Sequence, residues 1–204
     1  MRERLARKLA GVLEPVRDLA VGRLLQAMAE ELEQGNRVQQ EPARRAGAGH
    51  VLRNGGLHLP QRDDLSVTEG GRTVAHTVTS RGRLSFDPVR IESEDGFVAE
   101  VQPFRWDAAE LSADIGDGVL DVAPIRRWYL EAFQSRFSDL SPDLDGVVHA
   151  LLGPRRIGRV YVFQCDFGSA PAETVVDMLV AFAQAGARGL KVGDEGSHKL
   201  AMHA

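Results

Sequence analysis

Cysteine is nearly missing from this chain. Cys165 stands alone, so no intramolecular disulfide can form and no cysteine-rich zinc site can be assembled. Lysine is almost as scarce: Lys8, Lys191 and Lys199 are outnumbered by arginine, and with abundant Ala, Gly and Val this is the composition expected of a GC-rich bacterial genome. Long apolar runs are missing too. Residues 175–183 are the most apolar helical stretch, and Asp177 interrupts them, whereas a membrane span needs about 20 apolar residues in a row. Residues 1–5 lack the apolar core and cleavage site of a secretory signal. The expectation is a soluble, cytoplasmic protein. Nor is there a basic balance: the net charge of -4 gives no general attraction to nucleic acid. What remains is 43% hydrophobic over 204 residues, enough for one buried core with an appendage.

Residues 2–34 have helical spacing. Leu9, Val12, Leu13, Val16, Ala20, Leu24, Met28 and Leu32 recur at three- and four-residue steps. Pro15 lacks an N–H and crowds the preceding turn, so two helices or one kinked helix are expected. The apolar stripe suits docking on the main body or on a second copy of the chain. Residues 35–64 are rich in Gly, Arg and Gln with no sustained period, and read as a linker or long loop. From Leu65 the period shifts to two, with turn signals at Gly70-Gly71, Arg81-Gly82 and Asp95-Gly96. Consecutive hairpins imply an antiparallel meander. Ile125, Trp128, Tyr129, Phe133 and Phe137 then mark a helix, and residues 157–192 read as strand, helix, strand. Ser169 is placed as the cap of that helix and Gly186 as its left-handed end.

The expected fold is therefore α+β: an antiparallel β-meander extended by a C-terminal β-α-β unit, helices mainly on one face, and an N-terminal helical arm. The expected divisions are an arm at 1–35, a linker at 36–64, an α+β domain at 65–193 and a tail at 194–204. The core is placed at Val74, Leu84, Phe86, Ile91, Phe97, Val101, Phe104, Trp128, Phe133, Val160, Val162, Val175, Leu179 and Phe182.

Chemistry has one dense locus, "CDFGS" at residues 165–169. Asp166-Phe167-Gly168 matches the letters of a kinase magnesium motif, but the lysine strand, glycine-rich loop and H-R-D loop that a kinase requires are absent. Gly168 and Ser169 precede a helix and could face an anionic ligand; Pro171, Asp166 and Glu173 oppose this by removing a donor and adding negative charge. A cysteine nucleophile needs a base and an orienting group; Cys165 with His149 and Asp166 is the set that can be written. A thiol ending a buried strand is more often inert, and the turn is read as a corner of the scaffold. "SPDLDG" at 141–146 resembles a calcium loop but has Leu152 where a bidentate glutamate belongs. The six histidines show no metal-ligand spacing. The expectation is no cofactor and no metal site, save through residues that folding brings together.

The stretch "DFGSAPAETVVDMLVAFAQAGARGLKVG", with "PFRWDAAEL" at 103–111, resembles small bacterial proteins of toxin–immunity contexts. That resemblance covers two short stretches and carries no catalytic motif. The leading expectation is a non-enzymatic, immunity-type or adaptor protein, because no catalytic motif survives inspection, the acidic balance suits a basic protein partner, and the N-terminal helices offer a separable contact surface. A small enzyme or ligand-binding protein with its site at residues 165–169 is the second reading. A structural subunit that self-associates through residues 2–34 is the third.

Overall fold

The computed structural model describes residues 1–46, 50–54, 56–79, 82–134 and 144–194. Along them run α1 (Arg2–Glu33), β1 (Arg37–Gln40), β2 (Arg53–Asn54), β3 (Leu59–Pro60), β4 (Leu65–Glu69), β5 (Arg72–His76), β6 (Val89–Glu92), β7 (Val98–Val101) and β8 (Ala109–Asp114). They continue with α2 (Val122–Gln134), β9 (Ala150–Ile157), β10 (Val160–Asp166), α3 (Glu173–Gln184) and β11 (Gly189–Gly193). The fold is α+β, with an N-terminal helix, an antiparallel three-stranded meander and a mixed sheet.

The period-two stretches divide between those sheets. β1, β4 and β5 form the small one, in that order, while β6 and β7 belong to a six-stranded sheet of order β6-β7-β11-β8-β10-β9. The turn signals at residues 70–71 and 95–96 close real hairpins, β4–β5 and β6–β7. The one at 81–82 joins no hairpin, since β5 and β6 lie in different sheets. β8 is antiparallel to both β10 and β11, and β10 is antiparallel to β9. Each crossover, β8-α2-β9 and β10-α3-β11, therefore brackets a strand of the other. This is the β-α-β-β-α-β, ferredoxin-like arrangement of two split units. β7 extends it in parallel beside β11.

Alternation puts Ala109, Leu111 and Ala113 of β8, Phe163 and Cys165 of β10, and Leu190 and Val192 of β11 on the covered face. There they share one cluster with Ile125, Tyr129 and Phe133 of α2 and Val175, Leu179 and Phe182 of α3. Leu5, Leu9, Leu13 and Val16 of α1 join the same cluster. The arm is thus docked on the main body. Arg2 pairs with Asp177 of α3, and the Arg17 Nε–H donates to the Ala170 carbonyl at 2.9 Å. α1 is also continuous through Pro15 rather than two helices. One missing N–H costs less than the packing of Leu9, Leu13 and Val16 on either side of it supplies.

The segment at 36–64 differs from a linker. It carries β1, β2 and β3, and β1 pairs with β4. Val74, placed in the core, is 51% exposed. Val21 and Leu24 of α1 pack with Leu65 and Val67 of β4, and that cluster takes no residue from the edge strand β5. Residues 195–204 and Phe137 lie outside the described residues.

Candidate functional site

β10 ends at Asp166, and the chain turns there toward α3. The Gly168 N–H donates to Asp166 Oδ1 at 2.9 Å, closing the turn, and Gly168 adopts a φ of 52° that glycine tolerates without strain. Phe167 drives into an aromatic cluster with Trp106 and Phe104, at centroid distances of 4.9 and 6.3 Å. The Trp106 indole N–H donates to the Gly168 carbonyl at 3.1 Å. Ser169 does not cap α3; the cap position is Ala172, without a side-chain bond. Instead the Ser169 hydroxyl accepts from the Gly146 N–H at 2.9 Å and donates to a Glu41 carboxylate oxygen.

That carboxylate opens the buried centre of the molecule. Glu41 follows β1, is fully buried and has a φ of 44°, in the left-handed region that residues with a Cβ seldom enter. The strain is of order 1–3 kcal/mol and persists where surrounding structure over-determines it. Here it does: Glu41 accepts from the His149 ring at 2.7 Å, from the Ser169 hydroxyl and amide, and from the Asp145 amide. Its own backbone is held by the Asp64 carbonyl and the Arg62 guanidinium. Burial raises the Glu41 pKa, but the His149, Ser169 and Asp145 bonds outweigh it and hold the carboxyl below its usual range.

His149, just before β9, is 1% exposed and sits between carboxylates. Its Nε2 faces Glu41, its Nδ1 lies 2.8 Å from Asp64 Oδ1, and Asp166 Oδ2 stands 3.8 Å from the same Nδ1. Burial alone lowers the imidazole pKa; the Asp166 charge and the bonds to Asp64 and Glu41 reverse that and lift it to about 10. Burial raises the Asp166 carboxyl and the His149 charge lowers it; with repulsion from Asp64 and Asp107 added, it reaches about 6. Three carboxylates thus share one imidazolium, and the centre carries surplus negative charge.

A cavity of about 510 Å³ adjoins this centre, beyond the carboxyl ends of β10 and β11. Arg44, Arg62, Arg105, Asp107, Asp166 and Asp194 line it, with Gln61 and Gln164. Arg62 is committed to structure, bonding the Glu41 and Phe133 carbonyls and covering the Phe133 ring at 4.7 Å. Arg44 holds Asp63 and Gln61. Arg105 stands 3.8 Å from Asp107, beyond hydrogen-bond reach.

Folding therefore brings His149, Asp166, Gly168 and Ser169 to one place. It does not assemble them into a cysteine-nucleophile triad. Cys165 is 1% exposed, and burial, then Asp166, push its thiol well up, so the thiolate is suppressed. Both His149 nitrogens are engaged by carboxylates, leaving none as a base for sulfur. Of the calcium-loop pattern, Asp145 and Gly146 are described; they serve Glu41, Arg62 and Ser169 through backbone and side-chain bonds. Glu41, Asp64 and Asp107 escaped the sequence reading. The one local sign of Asp64 is its place before the first period-two strand; Glu41 has none. Comparison with protein-family models, with curated proteins and with solved structures returns no match.

Proposed function

We propose that this protein is a small enzyme or ligand-binding protein whose working site is the cavity beside residues 165–169. Its ligand is a small polar molecule with an anionic group, a carboxylate or phosphate. The carrying observation is the cavity itself: about 510 Å³, within the range of small-molecule sites, and lined by Arg44, Arg62 and Arg105 together with Asp107, Asp166 and Asp194. Arg105, loosely held, is the group proposed to receive the anion, since a guanidinium matches carboxylate and phosphate geometry in two parallel bonds. The ionic centre behind Asp166 supports the same reading. Desolvating so many charges is expensive for a fold that has no use for them.

The partner-binding reading keeps the acidic balance as its support. It loses most of the separable helical surface, because Leu9, Leu13, Val16 and Leu24 of the α1 stripe are buried, though Leu32 at its end is exposed. Self-association through residues 2–34 loses the same support.

Ligand-observed NMR against a set of small carboxylates, phosphates and amines tests the reading. Anions are expected to bind the wild-type protein and to lose at least tenfold in affinity when Arg105 is replaced by alanine. No anion binding, or anion binding indifferent to that change, overturns it.

A further inference from the structure

We propose that Asp64, His149 and Asp166 hold a divalent first-row transition-metal cation, with Glu41 as the outer carboxylate that orients the histidine. The inference deepens the cavity reading and rests on it for what the cation faces.

Donor geometry comes first. One donor atom from each of Asp64, His149 and Asp166 lies within 4.8 Å of those of the other two. Donors about 2.1 Å from one ion, at the angles of tetrahedral or octahedral sites, stand roughly 3–3.5 Å apart. The separations of 2.8 and 3.8 Å from Nδ1 straddle that value.

Each donor group is also fixed by its other end. The Val78 N–H donates to Asp64 Oδ2 at 2.6 Å and the Gly168 N–H to Asp166 Oδ1 at 2.9 Å. Glu41 takes the Nε2–H of His149, which leaves Nδ1 for a proton or a cation. A carboxylate on the far nitrogen of a liganding histidine sets its tautomer and raises its basicity. Here Glu41 is itself pinned by Ser169 and Asp145.

Space is available. Another, smaller cavity of about 20 Å³ is lined by Asp64, Asp107, Asp166, Trp106 and Gly168, with Arg23 of α1 also on its wall. That is room for about one water or ion. Asp107 and Asp166 border the large cavity as well, so a cation there adjoins the proposed ligand site. Glu41, Asp64 and Asp166 surround one imidazole, with Arg23 the other cation at the small cavity, and a dication in place of the Nδ1 proton adds positive charge among the carboxylates. One nitrogen and two oxygens, without sulfur, suit zinc, manganese or iron(II) rather than copper(I).

The test is isothermal titration of the chelator-stripped full chain with zinc chloride and, separately, manganese chloride. X-ray absorption at the zinc edge follows on the loaded protein. One saturable equivalent is expected, with nitrogen and oxygen neighbours near ~2.0–2.1 Å and no sulfur near ~2.3 Å. Asp64→Asn should weaken binding at least 100-fold, and Glu41→Gln by 10–100-fold. If Asp64→Asn does not fold by far-UV circular dichroism, Asp166→Asn takes its place with the same readouts. Absence of a saturable equivalent, binding unchanged in the folded variant, or a sulfur neighbour overturns the proposal. If the cation fails while Arg105-dependent anion binding persists, the cation inference alone is wrong. A bound cation without anion binding overturns the cavity reading instead.

Discussion

Gly168 shows how one residue holds the centre in place. A Cβ there would meet the His149 ring at 2.3 and 2.5 Å and the Val147 carbonyl oxygen at 2.5 Å. The φ of 52° adds strain for any L side chain. Neither neighbour can retreat: His149 is locked between Glu41 and Asp64, and Val147 is buried. Gly168→Ala is therefore expected to destabilise the protein by about 2–5 kcal/mol, overpacking and backbone strain together. Urea unfolding checks this, and a loss under 1 kcal/mol would mean that the centre is looser than described. Glu41 is the complementary case, a strained residue retained because its carboxylate satisfies a histidine, a serine and two amides at once. Gly168 could be singled out from the sequence, since glycine before a helix marks a turn. Glu41 could not, because its importance lies in groups more than a hundred residues away.

At the scale of elements, α1 carries the clearest consequence. Its buried face is continuous with the sheet and α3, so Leu9, fully buried, should behave as a core residue and not as a surface contact. Leu9→Ala is expected to cost about 2–5 kcal/mol in denaturant unfolding. Leu32, 53% exposed on the same helix, should lose less than about 0.5 kcal/mol on the same change. Equal costs at the two positions would show that the helix is not docked as described. The helical period of residues 2–34 was plain in the sequence; what it packed against was not. β8 passed unrecognised for a related reason. Ala109 to Asp114 does alternate apolar and polar residues, but Ala, Glu and Ser are weak strand formers, and the pairing with β10 and β11 that makes them a strand comes from distant residues. The segment 36–64 has no period because its order comes from pairing with β4 and from the Glu41 bonds.

For the molecule as a whole, the arm and the mixed sheet share one apolar cluster, and Trp106 and Trp128 lie inside it. Such continuity predicts one cooperative unfolding event. Thermal melting followed by far-UV circular dichroism, which α1 dominates, and by tryptophan fluorescence should give coincident curves. Helix loss ahead of the fluorescence change would mean that the arm is a separate unit. No helix among the described residues is long and apolar enough to cross a membrane.

The sequence by itself determined what the backbone decides over a few residues. It placed the three helices by their period, the β4–β5 and β6–β7 hairpins by their glycine turns, and the left-handed end of α3 at Gly186, where φ is 87°. These are short-range steric effects, and they survive in any tertiary context. The tertiary structure alone decided the interleaved strand order and the meeting of Glu41, Asp64, His149 and Asp166. A buried charge is stable only where folding supplies its partners, and partners drawn from residues 41, 64, 149 and 166 leave no pattern along the chain.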